Sequence, residues 1–279
     1  MRVTFLGTGT SHGVPFIGCD CAVCRSNDPR DRRTRPSILN DFDRSSGQDP
    51  SATDFVAGGP GRSAIAAAVR YVLVDTATDL RAQALALDIR RVDAVLFTHS
   101  HADHVLGLDE MRRYNILQKT AIGCYADGRT IGDLRRMFTY IFDPELGAGG
   151  GVPKLSLFSL NGAFSLGGTE IVPVPVMHGS RSILGYRLGP FAYLTDCNGI
   201  PDESWPLLQG VRTLVLDALR ERPHPTHFSV AEALEVVERL GPNRTYFTHI
   251  CHDLPHAATC ARLPAGVELA YDGLVLDIT

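Results

Sequence analysis

The sequence predicts an α/β fold in which helices cover the outer faces of packed sheets. Three observations carry this. Short apolar or β-branched runs recur along the whole chain, and several end at a histidine or an aspartate. Segments with helical spacing lie between them, at 79–87, 130–142 and 229–240. The runs fall into two halves, each followed by helices, and no internal repeat is visible. With 279 residues, 44% of them hydrophobic, the chain can bury a large core and reads as one domain over 1–279.

Residues 2–6 form a first strand, closed by Gly7, Thr8 and Gly9, where glycine lets the backbone approach a neighbour closely. A loop over about 18–25 then carries Cys19, Cys21 and Cys24. The C-x-C-x-x-C spacing lets three thiolates reach one Zn²⁺, with a fourth ligand supplied from elsewhere. Free thiols on a loop are the plainer reading. Residues 27–35 are polar and basic and read as a solvated loop, and 36–39 starts a second strand. The segment 41–62 is rich in Gly, Ser, Asp and Pro with little apolar periodicity, and reads as an exposed insertion between strands. A strand over 69–74 ends at Asp75, which either caps the strand end or orients a nearby histidine.

The helix at 79–87 leads to a buried strand at 93–97. A helix is expected from Gly107 onward, whose Arg112 and Arg113 could reach an anionic substrate, although exposed helix arginines usually do nothing specific. A strand at 121–125, the helix at 130–142 and a glycine-rich loop at 145–151 follow. Strands are expected near 155–160, 164–176, 191–195, 211–216 and 244–248. Ser229 with Glu232 three residues on has the form of a capping box for the helix at 229–240. A hairpin-like pair around Asp272 and Gly273 is expected to close the chain over 269–278.

The chemistry concentrates after the strand at 93–97. His99, His101, Asp103 and His104 fall within six residues at its C-terminal end. Imidazole and carboxylate without thiolate suit Zn²⁺, Mn²⁺ or Fe. His99 and His101 are two apart, so a turn is expected to bring their rings to a shared metal, leaving Asp103 and His104 to face a second.

The pattern H-x-H-x-D-H after a strand resembles the signature of the metallo-β-lactamase superfamily. That resemblance implies a four-layer αβ/βα sandwich of two mixed sheets with helices outside. It also implies three further ligands at strand ends, which fall on His178, Asp196 and His249, with Asp196 bridging two cations. His252, three residues beyond His249, is the candidate fourth ligand of the cysteine loop, with Cys251 as a neighbouring competitor. A zinc there staples the N-terminal loop to the active-site wall and contributes folding energy rather than chemistry.

Within the superfamily, flavodiiron oxidoreductases usually carry Glu where this chain has His101, which weighs against a redox role. The cysteine loop after G-T-G-x, the T-H-x-x-H of His249 and His252, and Pro225, Thr226 and His227 before a helix narrow the choice. Together they resemble the phosphoribosyl 1,2-cyclic phosphate phosphodiesterases of the C–P lyase (phosphonate) pathway. The resemblance implies a structural Zn²⁺ on Cys19, Cys21, Cys24 and His252, and a substrate-directed role for His227. Two active-site cations, Zn²⁺ or Mn²⁺, would share a hydroxide that attacks phosphorus, with Asp103 orienting it and His227 as general acid. The helix-flanking position of His227 is its blander explanation.

A net charge of −4 and no long basic arm weigh against an RNase Z-like tRNA 3′-endonuclease, the alternative enzyme reading. A non-catalytic metal-binding relative is the other alternative. The expected partner is a small phosphorylated substrate, with a second copy of the chain compatible, nucleic acid confined to the alternative reading, and no membrane. Seven cysteines without a disulfide pattern, and an N-terminus unlike a signal peptide, point to the cytoplasm.

Overall fold

The chain folds into two mixed β-sheets of seven strands each. The computed structural model describes residues 1–42, 69–143, 145 and 151–279. The first sheet holds β1 (Arg2–Gly7), β2 (Ser37–Asp41), β3 (Tyr71–Val74), β4 (Ala94–Leu96), β5 (Ile122–Ala126) and β6 (Leu155–Ser159). The second holds β7 (Phe164–Leu166), β8 (Thr169–His178), β9 (Arg181–Leu188), β10 (Phe191–Leu194), β11 (Thr213–Asp217), β12 (Arg244–Thr248) and β13 (Val267–Leu269). A last strand, β14 (Val275–Asp277), returns to the first sheet beside β1. The orders are β14-β1-β2-β3-β4-β5-β6 and β7-β8-β9-β10-β11-β12-β13. Each sheet runs through three antiparallel pairings and then three parallel ones. The fold therefore repeats a topology that the sequence does not display as a repeat.

Period-two alternation sorts the strand side chains into layers. In β3, Val72 and Val74 join Phe5, Leu96, Tyr193 and Val215 between the sheets. Leu73, between them in sequence, faces the other way. It packs with Leu80 of α1 (Leu80–Ala86) and, beyond the one-turn α2 (Ala102–Val105), with Met111 of α3 (Met111–Gln118). Leu134 of α4 (Gly128–Met137) completes that layer, and α5 (Thr139–Phe142) follows. In β11, Val215 points inward while Leu214 and Leu216 pack beneath Val230 and Ala233 of α6 (Val230–Leu240). Each such fully buried aliphatic contributes roughly 1.5–3 kcal/mol of transfer free energy. The result is helix, sheet, sheet, helix.

Local chemistry explains particular element ends. Ser229 caps α6 as expected: its hydroxyl accepts from the Glu232 amide, and the Glu232 carboxylate accepts from the Ser229 amide at 2.8 Å. Pro173 and Pro175 are tolerated in β8 because β7 pairs only with residues 169–171 and the next backbone partner on that side is Gly199, at Met177, so both prolines lie on an open edge.

Several expectations are corrected. The helix expected over 130–142 starts at Gly128, capped by the Asp127 carboxylate on the Thr130 amide, and breaks at Phe138, whose φ of −118° and ψ of 48° are not helical. The strand expected over 164–176 is a hairpin, turned at Gly167 and Gly168. The closing hairpin does not form: β13 lies parallel to β12, whereas β14 lies antiparallel to β1 in the other sheet. Asp272 is the cause. Its carboxylate accepts from the Thr8 hydroxyl at 2.8 Å and from the Thr34 amide and hydroxyl at 2.7 Å each, which ties the turn to the first sheet. The insertion expected at 41–62 lies outside the described residues beyond Phe42, and so does most of the glycine-rich loop at 145–151. Among the described residues no helix is long and apolar enough to cross a membrane.

Candidate metal centre

Six strands deliver their C-terminal ends to one region: β3 at Asp75, β4 at His99, β8 at His178, β10 at Asp196, β11 at Asp217 and β12 at His249. Three of these turn sharply. Asp75, Asp196 and His249 have φ of 63°, 55° and 58°, the left-handed region that side chains other than glycine seldom occupy. Such strain persists where surrounding contacts over-determine it, and it collects at functional sites.

The seven residues singled out by the sequence meet in two groups. His99, His101, His178 and Asp196 form one, and Asp103, His104, His249 and Asp196 the other, with ligand atoms in each group within 4.8 Å of one another. Asp196 is common to both. The turn expected between His99 and His101 is not needed. Residues 99–101 contain no turn, and the rings of His99 and His101 already lie 4.4 Å apart. The turn comes afterwards, in α2, and carries Asp103 and His104 to the other group.

The donor set fits cations. His99 Nε2, Asp103 Oδ2, His104 Nε2 and His249 Nδ1 are all buried without a hydrogen-bond partner. They face each other and Asp196: His249 Nδ1 is 2.9 Å and His104 Nε2 3.2 Å from Asp196 Oδ1. Buried polar atoms left unpaired are costly, and a cation among them removes that cost. Protein charges point the same way. Burial pushes the His104 imidazole down, but the Asp196, Asp103 and Asp75 carboxylates outweigh it and hold it well above its usual value. Burial pushes the Asp196 carboxyl up, but His104 and His249 hold it well below its usual range.

A second ring of contacts orients the imidazoles. Asp75, fully buried, accepts from His104 Nδ1 at 2.7 Å and from the Thr98 amide and hydroxyl at 2.8 Å each. The Thr98 hydroxyl accepts in turn from His99 Nδ1 at 3.0 Å, so one carboxylate governs a histidine of each group. These contacts favour the histidine-orienting reading of Asp75 over a strand-end cap, since the partners of its carboxylate are Thr98 and His104 and not the end of β3. His178 Nδ1 donates to the Thr226 carbonyl at 2.9 Å.

His227 belongs to neither group but stands beside both. Its ring is stacked on His249 at 4.6 Å and meets His178 edge-on at 4.9 Å. Its Nδ1 donates to Asp217 at 2.7 Å, leaving Nε2 as its free nitrogen. Burial lowers the imidazole below its usual value. Asp217 was missed by sequence reasoning, although it ends a strand as the other site residues do. Arg112 is committed to Asp109 at 2.8 Å, and Arg113 is exposed on α3.

The cysteine loop meets His252. Its Nδ1 lies 3.3, 3.5 and 3.4 Å from the sulfurs of Cys19, Cys21 and Cys24. These four make the third cluster of ligand atoms, and Phe16 stacks on the His252 ring at 3.9 Å. The Cys24 amide lowers the Cys21 thiol, favouring the thiolate that metals take. Cys251 stays out, its sulfur accepting from the Asp253 amide. The segment from His249 to His252 is held from two sides. Ile250 exchanges backbone hydrogen bonds with Thr8 and Thr10, at 2.9 and 3.1 Å. The fully buried Arg33 guanidinium donates to the Cys251 and Leu254 carbonyls at 2.8 and 2.7 Å. A side chain at Gly9 would meet the Arg33 carbonyl at 2.7 Å, which accounts for glycine in this turn.

Two ligand clusters sharing a carboxylate at the strand ends of an αββα sandwich define a class: hydrolases that work with divalent metal ions. The chain belongs to the beta-lactamase superfamily, whose domain matches residues 70–250. It is 42% identical to a structure described as a new diphosphatase from the PhnP family, with a TM-score of 0.82, over 99% of this chain and 97% of that one, and so is PhnP-like within the superfamily. Zn²⁺-bound PqqB from Methylobacterium extorquens shares the fold, with a TM-score of 0.71 and 21% identity over the whole of both chains. A curated relative, an octanoyltransferase of Porphyromonas gingivalis, is 34% identical over 276 residues, 98% of this chain. The chain spans about half (51%) of that protein's length.

Proposed function

We propose that the protein is a metal-dependent phosphodiesterase that opens a cyclic phosphate ester of a small phosphorylated sugar, of the phosphoribosyl cyclic phosphate kind. The observation that carries this is the His227–Asp217 pair, a proton carrier set against both ligand clusters without belonging to either. The 42% identity to a PhnP-family diphosphatase supports phosphorus as the reacting centre.

His99, His101 and His178 would hold one divalent cation, Zn²⁺ or Mn²⁺, and Asp103, His104 and His249 the other, with Asp196 between them. Cations so held polarise a phosphoryl oxygen and supply a water of lowered pKa. Asp103, besides holding the second cation, would orient the attacking water. His227 passes a proton from Nε2 to the leaving sugar oxygen, while Asp217 keeps the ring's Nδ1–H in place. At neutral pH the protonated ring is its minority form, so it must first gain a proton from solvent. Cys19, Cys21, Cys24 and His252 would hold a structural Zn²⁺.

The likeness to a diphosphatase favours a second reading, hydrolysis of a phosphoanhydride by the same residues. Purified metal-loaded protein offered ribose 1,2-cyclic phosphate esters, a nucleoside diphosphate and a precursor tRNA separates the readings. Turnover of the cyclic ester well above the diphosphate supports the first. Cleavage of the diphosphate alone transfers the assignment to the second, and cleavage of the tRNA alone rejects both.

A further inference from the structure

A second histidine stands beside the proton carrier and takes part in neither ligand cluster. His224 lies in the loop that leads to His227, and the two rings are 5.1 Å apart, tilted by 43°. Its Nδ1 is spent on that loop. The Thr226 amide donates to it at 3.4 Å, and the Thr226 hydroxyl lies at 3.2 Å. An amide N–H can only donate, so Nδ1 is the acceptor and the neutral ring carries its proton on Nε2. Burial, with His227 and Arg220 after it, lowers the imidazole below its usual value, so the neutral ring predominates at pH 7.

The loop presents this N–H rigidly. His224 sits between Pro223 and Pro225, which fix φ on either side and bias His224 itself toward extended backbone. Both proline carbonyls are tied down, Pro223 by Arg220 Nη2 at 3.0 Å and Pro225 by Asn198 Nδ2 at 2.9 Å. Asn198 also accepts from the Gly179 amide at 2.9 Å, next to His178, whose Nδ1 holds the Thr226 carbonyl. Yet His224 is only half-buried, and among the described residues none takes its Nε2. A donor fixed in one place and one tautomer, and open on its free side, has already met the ordering cost that binding imposes. His227 touches the rings of the cluster residues His178 and His249, whereas His224 stands one ring farther out, against His227. With His227 directed at the leaving sugar oxygen, the next donor along the loop meets the leaving group rather than the phosphate.

We infer that His224 is a substrate-binding residue, donating from Nε2 to a second oxygen of the leaving alcohol, close to the one that His227 protonates. The inference deepens the proposed function and rests on its assignment of His227 to the leaving group. It makes the preferred leaving group a sugar or other polyol rather than a plain alcohol.

The test compares two monoesters of the product type, ribose 1-phosphate and cis-2-hydroxycyclopentyl phosphate, by calorimetric titration of Mn²⁺-loaded protein. Both carry a phosphate and the adjacent hydroxyl, and only the sugar carries further oxygens. The wild type should bind the sugar ester about three- to tenfold more tightly, the scale of one hydrogen bond between neutral groups. Two substitutions separate the ring nitrogens, because the amide of Asn reaches the place of Nδ1 and that of Gln the place of Nε2. His224→Asn should bring the ratio of the two affinities close to one while Thr226 keeps its acceptor, and His224→Gln should keep part of the ratio. A ratio near one in the wild type, or a ratio kept in His224→Asn, overturns the inference. So does a ratio that vanishes only where element analysis shows that active-site metal is also lost, which would make the ring a brace for Thr226 and His178. Turnover of ribose 1,2-cyclic phosphate by the wild type is measured in parallel. Its absence counts against the phosphodiesterase reading, while the binding ratio still decides the role of His224.

Discussion

Replacing Asp75 with Asn probes the whole centre through one atom pair. Asn is among the few residues that accept a φ of 63°, so the backbone is left undisturbed. Three donors converge on the Asp75 carboxylate: the Thr98 amide, the Thr98 hydroxyl and His104 Nδ1. The amide of Asn can satisfy them only in part. With its oxygen toward the Thr98 amide, its NH₂ faces His104 and forces the proton onto Nε2, the atom that faces Asp103 and Asp196. With its oxygen toward His104, the buried Thr98 N–H is left facing another donor. Either way one charge-assisted hydrogen bond is lost, about 1.5–3 kcal/mol. That corresponds to roughly 10–100-fold in active-site metal affinity, the usual effect of removing such a partner. Chelator titration with element analysis measures it, and the ion at the cysteine cluster should be retained throughout. Affinity within about threefold of wild type would mean that Asp75 serves only the strand-end turn and that the His104 tautomer is set elsewhere.

Three further outcomes are expected. Cys21→Ser should lower zinc content by one ion and reduce thermal stability more than it changes turnover of the folded fraction; a variant that melts like wild type with its zinc intact removes the structural site. His227→Ala should retain the active-site metals but lose about 10²–10⁴-fold in kcat, less for p-nitrophenyl leaving groups that need no proton. A uniform loss across leaving groups, read from steady-state rates, would assign His227 to substrate positioning instead. His256, buried and near Arg30 and Arg33, is pushed down to about 4, chiefly by burial. It stays neutral in the fold while the unfolded chain takes up a proton below pH 6.5, so its contribution is present above that pH and is lost as pH falls toward 4. At pH 5 the loss is at most about 2 kcal/mol, and urea midpoints at pH 7 and 5 should converge for His256→Gln relative to wild type.

The residues that meet in the two groups were legible because so dense a set of histidines and aspartates is rare and each follows a strand-like run. Their partners were not. Asp217 is an ordinary residue type whose meaning comes from what the fold sets against it, the His227 ring 2.7 Å away. β9 went unseen because Gly185, which lets Leu194 pack against it, interrupts its apolar pattern. The last strand was misplaced because a buried network through Asp272, Thr8 and Thr34 outweighs the local turn signal of Asp272 and Gly273. The left-handed backbone at Asp75, Asp196 and His249 has no signature in residue type, since the same residues are common in extended loops.

Only Ile250 and Cys251 separate His249 from His252, and both are locked, one by the Thr8–Thr10 turn and the other by Arg33. A span this short and this constrained fixes the distance between the imidazole offered to the ligand clusters and the imidazole offered to the cysteine loop. Because the constraint comes from backbone pairing and the Arg33 guanidinium, His249 should keep its place when the cysteine cluster is emptied, whereas loosening Arg33 should disturb both ends of the span at once.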